Sequence, residues 1–270
     1  MPYLRRTYQL PAELEEVVLA DLWAAGTLGV QSTLGGLEAW FPEGSNPELP
    51  LRPGVEAGPW EPVPDLDWLA GYRELAQPFP VGRTLFVDPR EPEEIAPEVP
   101  GGRHLLRLPA RTAFGIGSHE STSLAVELLE DANLRGRRVL DVGTGTGILA
   151  FVSLLLGAAE VVAFDIDPAS PFNALVNRRL SGLHPHLYVG TSAALRPETR
   201  FDLLLINVIP EEIGPEMTGL VRRLRPGGEA ILSGILAERG DEVLASVQAL
   251  GLAARERRTA GEWIAFRVGS

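Results

Sequence analysis

The 270-residue sequence contains no cysteine, which excludes a disulfide framework, a thiolate metal site and a cysteine nucleophile. It also contains no lysine: every one of its 24 basic residues is arginine. Histidine is scarce, at four residues, and methionine scarcer, at two. No apolar run approaches the ~20 residues needed to cross a bilayer, and the stretch from Ile148 to Ala159 reads as a buried helix. Met1 to Arg6 runs into an acidic amphipathic stretch and lacks the apolar core of a signal peptide. Together these features point to a soluble, cytoplasmic, non-membrane protein. Positive charge is also in deficit, with a formal net charge of −12. Phosphates repel such a surface, so direct nucleic-acid binding is not expected, and a basic protein or an amine is the better partner.

Hydrophobic residues make up 45% of the chain and charged residues 22%, the composition of a globular protein. Tyr3 to Gln9 alternates as a strand. Pro11 to Ala25 carries Leu14, Val17, Val18 and Leu22 at helical spacing, with Gly26 after it. Leu28 to Thr33 and Leu37 to Phe41 read as strands joined at Gly35-Gly36. Strand, helix and hairpin suggest an abbreviated ferredoxin-like α+β domain over residues 1–62. Residues 42–64 are rich in Pro and Gly and read as loop and linker. Asp65 to Ala76 reads as a short helix with Trp68 and Tyr72 on one face, so residues 63–76 form a linker helix. Residues 77–102 read as an irregular approach to the second domain, which spans 77–270.

From Arg103 onward strands and helices alternate. The runs Arg138 to Val142, Val161 to Asp165, Leu187 to Val189, Leu203 to Asn207 and Glu229 to Gly234 are short and apolar throughout. Such runs fit parallel strands covered on both faces, hence a doubly wound sheet. A helix over Asp241 to Leu250 and strands over Leu252 to Arg257 and Glu262 to Val268 add a terminal antiparallel hairpin.

The strongest chemical signal is Asp141-Val142-Gly143-Thr144-Gly145-Thr146-Gly147, a buried strand running into a glycine turn with a helix behind it. Glycines there let a bulky ligand approach the backbone and the helix N-terminus. A dinucleotide site requires G-x-G-x-x-G, and its third glycine is Ile148 here. G-x-G-x-G after an acidic residue is instead the pattern of S-adenosylmethionine-dependent methyltransferases. Asp165 stands 22 positions after Gly143, at the end of the next strand, where a carboxylate accepts hydrogen bonds from ribose hydroxyls. Asn207 ends the fourth parallel strand, on the rim where such sheets carry their active sites.

Ahead of the turn stands Ala113-Phe114-Gly115-Ile116-Gly117-Ser118-His119-Glu120-Ser121-Thr122. It resembles the A-F-G-T-G-x-H-x-T-T loop of the ribosomal protein L-eleven methyltransferase family (PrmA). Asp165-Ile166-Asp167-Pro168, Asn177, Asn207, Leu224-Arg225-Pro226-Gly227-Gly228, Leu232-Ser233-Gly234-Ile235-Leu236 and Glu262-Trp263 follow in that family's order. The resemblance implies a Rossmann-like class I methyltransferase domain that binds S-adenosylmethionine through Thr122, Gly143, Gly145, Gly147, Asp165, Asn207, Phe114 and Gly117. It implies catalytic positions at Asn207 and His119, the loop from Phe114 to His119 closing over the donor methyl. A lone histidine is as readily structural, and that alternative stays open for His119. The implied activity is methylation of protein amino groups, lysine side chains or the N-terminal amine, most naturally on ribosomal protein L-eleven, gripped by the small first domain. No metal is implied.

The sequence departs from the family pattern at Ile116 (usually Thr), Ser121 (usually Thr), Ala110-Arg111-Thr112 (usually ending Pro-Gly) and Ser181-Gly182 (usually Asn-Gly). It departs again after Asn207, at Val208-Ile209-Pro210-Glu211-Glu212. The cofactor positions are kept and the acceptor rim is altered. Another protein substrate, a small-molecule substrate and a non-catalytic cofactor-binding homologue therefore remain as alternative readings.

Overall fold

The computed structural model describes residues 3–11, 14–27, 29–33, 35–42, 44, 52–63, 77–109 and 117–270. The chain divides into two compact units, Met1–Gly71 and Tyr72–Ser270. The segment expected to form the linker helix, residues 63–76, lies almost wholly outside the described residues, as do Trp68, Tyr72, Phe114 and Ile116.

The first unit holds β1 (Tyr3–Gln9), α1 (Glu15–Ala24), β2 (Gly29–Thr33), β3 (Gly36–Pro42), β4 (Glu56–Ala57) and β5 (Glu61–Val63). Its strand order is β2-β3-β1-β4, with β5 also paired to β1. The core is Tyr8, Leu37, Ala39 and Phe41 from the sheet against Val18 and Leu22 from the helix. Two expectations change here. The helix begins at Glu15, because the chain first makes a turn in which the Leu14 amide donates to the Pro11 carbonyl. Val17 then falls off the packed face and is 40% exposed. Residues 42–64 are not all linker, since β4 and β5 complete the sheet against β1. Two and three residues are too short to show a period, and Pro62 hides β5, although an edge strand tolerates proline.

In the second unit β6 (Phe79–Val81), β7 (Leu85–Asp88) and β8 (His104–Arg107) form a three-stranded sheet of their own. Residues 77–102 are thus partly ordered as strands, and the strand after Arg103 does not join the large sheet. Buried Asp88 accepts from Arg90, which with Arg107 fastens the connection by donating to the carbonyls of Ile95, Pro92 and Glu94.

The large sheet is built from β9 (Arg138–Val142), β10 (Glu160–Asp165), β11 (His186–Val189), β12 (Phe201–Asn207), β13 (Leu224–Leu236), β14 (Ala253–Ala260) and β15 (Trp263–Gly269). Their order is β11-β10-β9-β12-β13-β15-β14. The first five run parallel, and β15 runs antiparallel to both its neighbours. Helices α2 (Glu120–Asp131), α3 (Ile148–Leu155), α4 (Ala169–Ser181), α5 (Pro210–Val221) and α6 (Gly240–Ala249) connect the strands.

Both faces of this sheet are covered. Val139, Ala163, Leu205 and Ile231 pack with Leu128, Leu129, Ala150 and Phe151 of α2 and α3. Leu140, Val142, Leu204 and Leu232 face Leu220 and Val247 of α5 and α6. Strands buried on both sides must be apolar at consecutive positions, which is why they read as unbroken runs. The order reverses between β9 and β12, so α-helices leave in opposite directions there and a crevice opens at the carboxyl ends of those two strands.

Candidate active site

The glycine turn, Asp165 and Asn207, the strongest signals in the sequence, meet at that crevice. Gly143 follows β9, Asn207 ends β12, and both line a cleft of about 590 Å³ with Thr122, Gly145 and Asp165. The glycine turn is tied down by its backbone: the amides of Gly143 and Thr144 donate to the Phe164 carbonyl at 2.9 and 3.0 Å. Gly143 has φ +68°, and a Cβ there would lie 2.5 Å from Cγ2 of Val208. Only glycine lets the turn and the β12 end stand this close.

Asp165 is held rather than free. Its Oδ2 accepts from the Gly145 amide at 3.0 Å and its Oδ1 from the Asp167 amide at 3.1 Å. The carboxylate lines the cleft and has acceptor capacity beyond these two bonds, suited to a diol. Beyond it the wall turns apolar. Ile166 is 70% exposed, Phe164 stacks on Tyr188 at 5.3 Å, and the Tyr188 hydroxyl donates to the Thr191 carbonyl. Burial pushes that hydroxyl's pKa up to about 12.

Asn207 is the polar centre at the other side. Its Nδ2 donates to Thr122 Oγ1 at 3.2 Å. Its Oδ1 is buried and has no hydrogen-bond partner among the described residues. A buried acceptor without a partner costs about 1–3 kcal/mol, so this atom marks where a donor from outside would be welcome. Asp141 sits beneath the turn, 1% exposed, with Oδ2 accepting from Thr144 Oγ1 at 2.7 Å and Oδ1 unpartnered among the described residues. Burial above all pushes its pKa up to about 7, and the negative charge of Asp165 adds to the rise, while the Thr144 hydrogen bond and the Ala150 amide oppose it.

His119 is the N-cap of α2. Its Nδ1 accepts from the Ser121 amide at 3.3 Å, lies 2.8 Å from Ser121 Oγ, and the ring meets Trp263 edge-on at 4.7 Å. These contacts give His119 a structural task in starting the helix that presents Thr122. Gly117, at φ +99°, packs against Val81 and Ile148. Gly147, at φ +85°, starts α3 and lets Phe151 and Ala174 come close. Both glycines shape the walls from behind. Phe114 lies outside the described residues.

The altered rim also sorts itself. Glu211 turns away from the cleft to pair with Arg239, which Glu242 also holds. Glu212 and Glu216, one helical turn apart, line the cleft instead. Reading the sequence did not single out Glu216, Thr191 or Ile166. The one available signal was the i, i+4 spacing of the two glutamates, which many solvated helix faces share.

The donor set fits S-adenosylmethionine: a diol acceptor at Asp165, a backbone cradle at Gly143 that a Cβ would fill, and an orphaned acceptor at Asn207. A parallel sheet in this order, ending in an antiparallel pair and carrying such a site at its switch point, is a Rossmann-like methyltransferase core. Residues 50–269 match the family described as Ribosomal protein L11 methyltransferase (PrmA). The chain belongs to that family. It is 34% identical over 270 residues to the Ribosomal protein L11 methyltransferase of Deinococcus radiodurans, covering 95% of this chain and 96% of that protein. It is 39% identical over 207 residues to the protein of that name from Pelobacter propionicus, covering 74% of this chain but only 65% of its relative's length. The crystal structure of a ribosomal protein L11 methylase from Lactobacillus delbrueckii subsp. bulgaricus superposes with a TM-score of 0.64 at 30% identity, over 71% of this chain and 97% of that one.

Proposed function

We propose that the protein transfers methyl groups from S-adenosylmethionine to amino groups of a protein, lysine side chains or the N-terminal amine, with ribosomal protein L11 as the substrate. The observation that carries the reading is the unpartnered Oδ1 of Asn207, held beside the Gly143 turn at the sheet's switch point. The family membership of residues 50–269 supports the substrate, because the relatives named above carry that substrate in their names.

When bound, S-adenosylmethionine supplies an electrophilic methyl group on a sulfonium sulfur. The protein's work is positioning, since an in-line displacement needs an aimed lone pair more than a strong acid. Gly143 and Gly145 present the backbone, and Asp165 holds the ribose hydroxyls. Glu212 and Glu216 draw the acceptor ammonium into the cleft. An amine of ordinary pKa ~8–10.4 must lose a proton to water first, and a desolvated pocket makes that easier. Asn207 Oδ1 then accepts a hydrogen bond from the remaining N–H and points the lone pair at the methyl carbon. Glu212 and Glu216 would balance the charge of the methylated ammonium, the methyl coming from the sulfonium, whose sulfur would be left as a neutral thioether.

Residues 1–62, as an abbreviated ferredoxin-like domain, grip the protein substrate. A net charge of −12 suits a basic ribosomal protein in the cytoplasm and disfavours nucleic acid or an anionic membrane as partner. The test is transfer of radiolabelled methyl from S-adenosylmethionine to purified ribosomal protein L11, beside a cell lysate. Because this chain has no lysine, label on the enzyme's own band is confined to its N-terminal amine. Label on another lysate protein alone would keep the chemistry and discard the substrate.

A further inference from the structure

Asn207 and Ser233 are register partners on the adjacent parallel strands β12 and β13. They lie on the sheet face of Leu205 and Ile231, which α2 covers. Each fastens one of two consecutive residues in the first turn of that helix. Ser233 Oγ donates to the Ser121 carbonyl at 2.7 Å, and Asn207 Nδ2 donates to Thr122 Oγ1 at 3.2 Å. Ser121, Thr122 and Ser233 are each 1% exposed or less. The Ser233 contact spans 112 residues and is fully buried, so it acts where water offers no substitute.

The strand is bent to make this contact. Register between β13 and β15 slips between Leu232 and Ile235. Gly234, inside the slip, adopts φ +76°, and a Cβ there would stand 3.2 Å from Asn207 Oδ1 and 3.1 Å from the Val208 nitrogen. A bulge that re-aims one side chain beside an active site is a recurrent device. Here it places Ser233 under the helix start and clears the space around the Asn207 oxygen.

We propose that Ser233 is a positioning residue for the acceptor amine: by holding the first turn of α2 it keeps Thr122 against Asn207 Nδ2, which fixes Asn207 Oδ1, beside Gly234, as the free acceptor end of the amide. The inference rests on the methyl-transfer reading above. An asparagine amide has a donor end and an acceptor end of nearly equal size, so its direction follows from its neighbours. Without the Ser233 anchor the helix turn is free to shift, the Thr122 contact lengthens and the amide rotates. Ser233 itself touches neither the cofactor nor the amine.

The test compares Ser233→Ala, Ser233→Cys and Ser233→Thr in the full chain, measuring thermal unfolding, cofactor Kd by calorimetry, and kcat for methyl transfer. The alanine and cysteine variants are expected to lose kcat by about 10- to 100-fold, the scale of a misplaced reacting group, while cofactor Kd moves by no more than about threefold. Threonine, which keeps the hydroxyl, is expected to restore kcat to within about threefold of wild type. Combined with Asn207→Ala, Ser233→Ala should cost nothing further, because both act through one atom. Wild-type kcat in Ser233→Ala, an additive double variant, or equal losses in kcat and cofactor affinity would overturn the proposal. Cysteine, close in volume to serine, carries the test if alanine does not fold. One readout is independent of turnover: the Asn207 side-chain amide resonances should move in Ser233→Cys and return in Ser233→Thr. If the wild type methylates no protein amine, the reading of function fails, yet this measurement still decides whether Ser233 orients Asn207; unmoved resonances would refute it.

Discussion

The two edges of the large sheet use their polar residues differently. At the amino edge the charged groups are paired, with only the Nε of Arg267 buried and unpartnered among the described residues. Arg138 bonds Glu160, its amide donates to Asp202, Arg225 reaches the same carboxylate, and Arg137 and Arg267 share Glu229. At the carboxyl edge two acceptor oxygens are left open: Asp141 Oδ1 and Asn207 Oδ1 are buried without partners among the described residues, and glycines stand in the turn that follows Asp141. Paired charges hold their ends together and ask nothing of a ligand. Unpaired buried acceptors cost stability that a donor arriving from outside can return. A polar edge therefore becomes a site through what is withheld from it.

That contrast can be broken most severely at Gly143. Replacing it with alanine forces a side chain into a left-handed backbone and against Val208, which should cost about 2–4 kcal/mol of stability. Calorimetry should then detect no cofactor binding, while the circular dichroism spectrum keeps its α/β shape.

Asn207→Ala is next. Turnover should fall about 100-fold, with cofactor Kd changed only a few-fold, because the amide is assigned to the acceptor. Equal losses in both, read from kcat and titration, would move Asn207 to a purely cofactor-holding role.

The buried acid gives a third test. The folded-state pKa of Asp141 is raised, from 3.8 to about 7, so the native protein binds its proton more tightly than the unfolded chain. Stability from this group is present in full below pH ~4, falls as pH rises from there to ~7, and is flat above. The change amounts to a few kcal/mol at most. Asp141→Asn removes it, so the difference in melting temperature between variant and wild type should grow across that window and then level off. A difference that stays constant from pH 4 to 7 would show that Asp141 is ionised throughout.

The smallest effect belongs to the paired edge. Glu229→Gln breaks partly exposed ion pairs to Arg137 and Arg267 and should cost about 1 kcal/mol or less, with kcat unchanged. A loss of turnover there would erase the distinction between the edges.

Much of the large sheet was legible because its strands obey one rule, apolar on consecutive positions between turn residues. Arg138–Val142 falls where the reading put it, and β10, β12 and β15 begin or end within two residues of theirs. The glycine turn and Asp165 were legible because their spacing follows from the same strand ends. In the small sheets β1, β2 and β3 were legible as well, and the shortest strands were not. β4, β5 and β6 are two or three residues long, and prolines stand in β5 and β6, so neither period nor propensity marks them. The direction of Glu211 was equally hidden: adjacent glutamates at a helix start are alike in sequence, and only the presence of Arg239 separates the one that turns outward from the one that faces the cleft.

By itself the sequence determined the doubly wound architecture, the crevice and the glycine turn that lines it, since each depends on local patterns of apolar, glycine and acidic residues that a strand or turn requires wherever it sits. Tertiary structure alone decided what His119, Thr122 and Ser233 do. Their partners lie on other elements or depend on how a helix end is presented, and contacts across 85 and 112 residues are set by sheet register and a single bulge, neither of which leaves a mark in the order of residues.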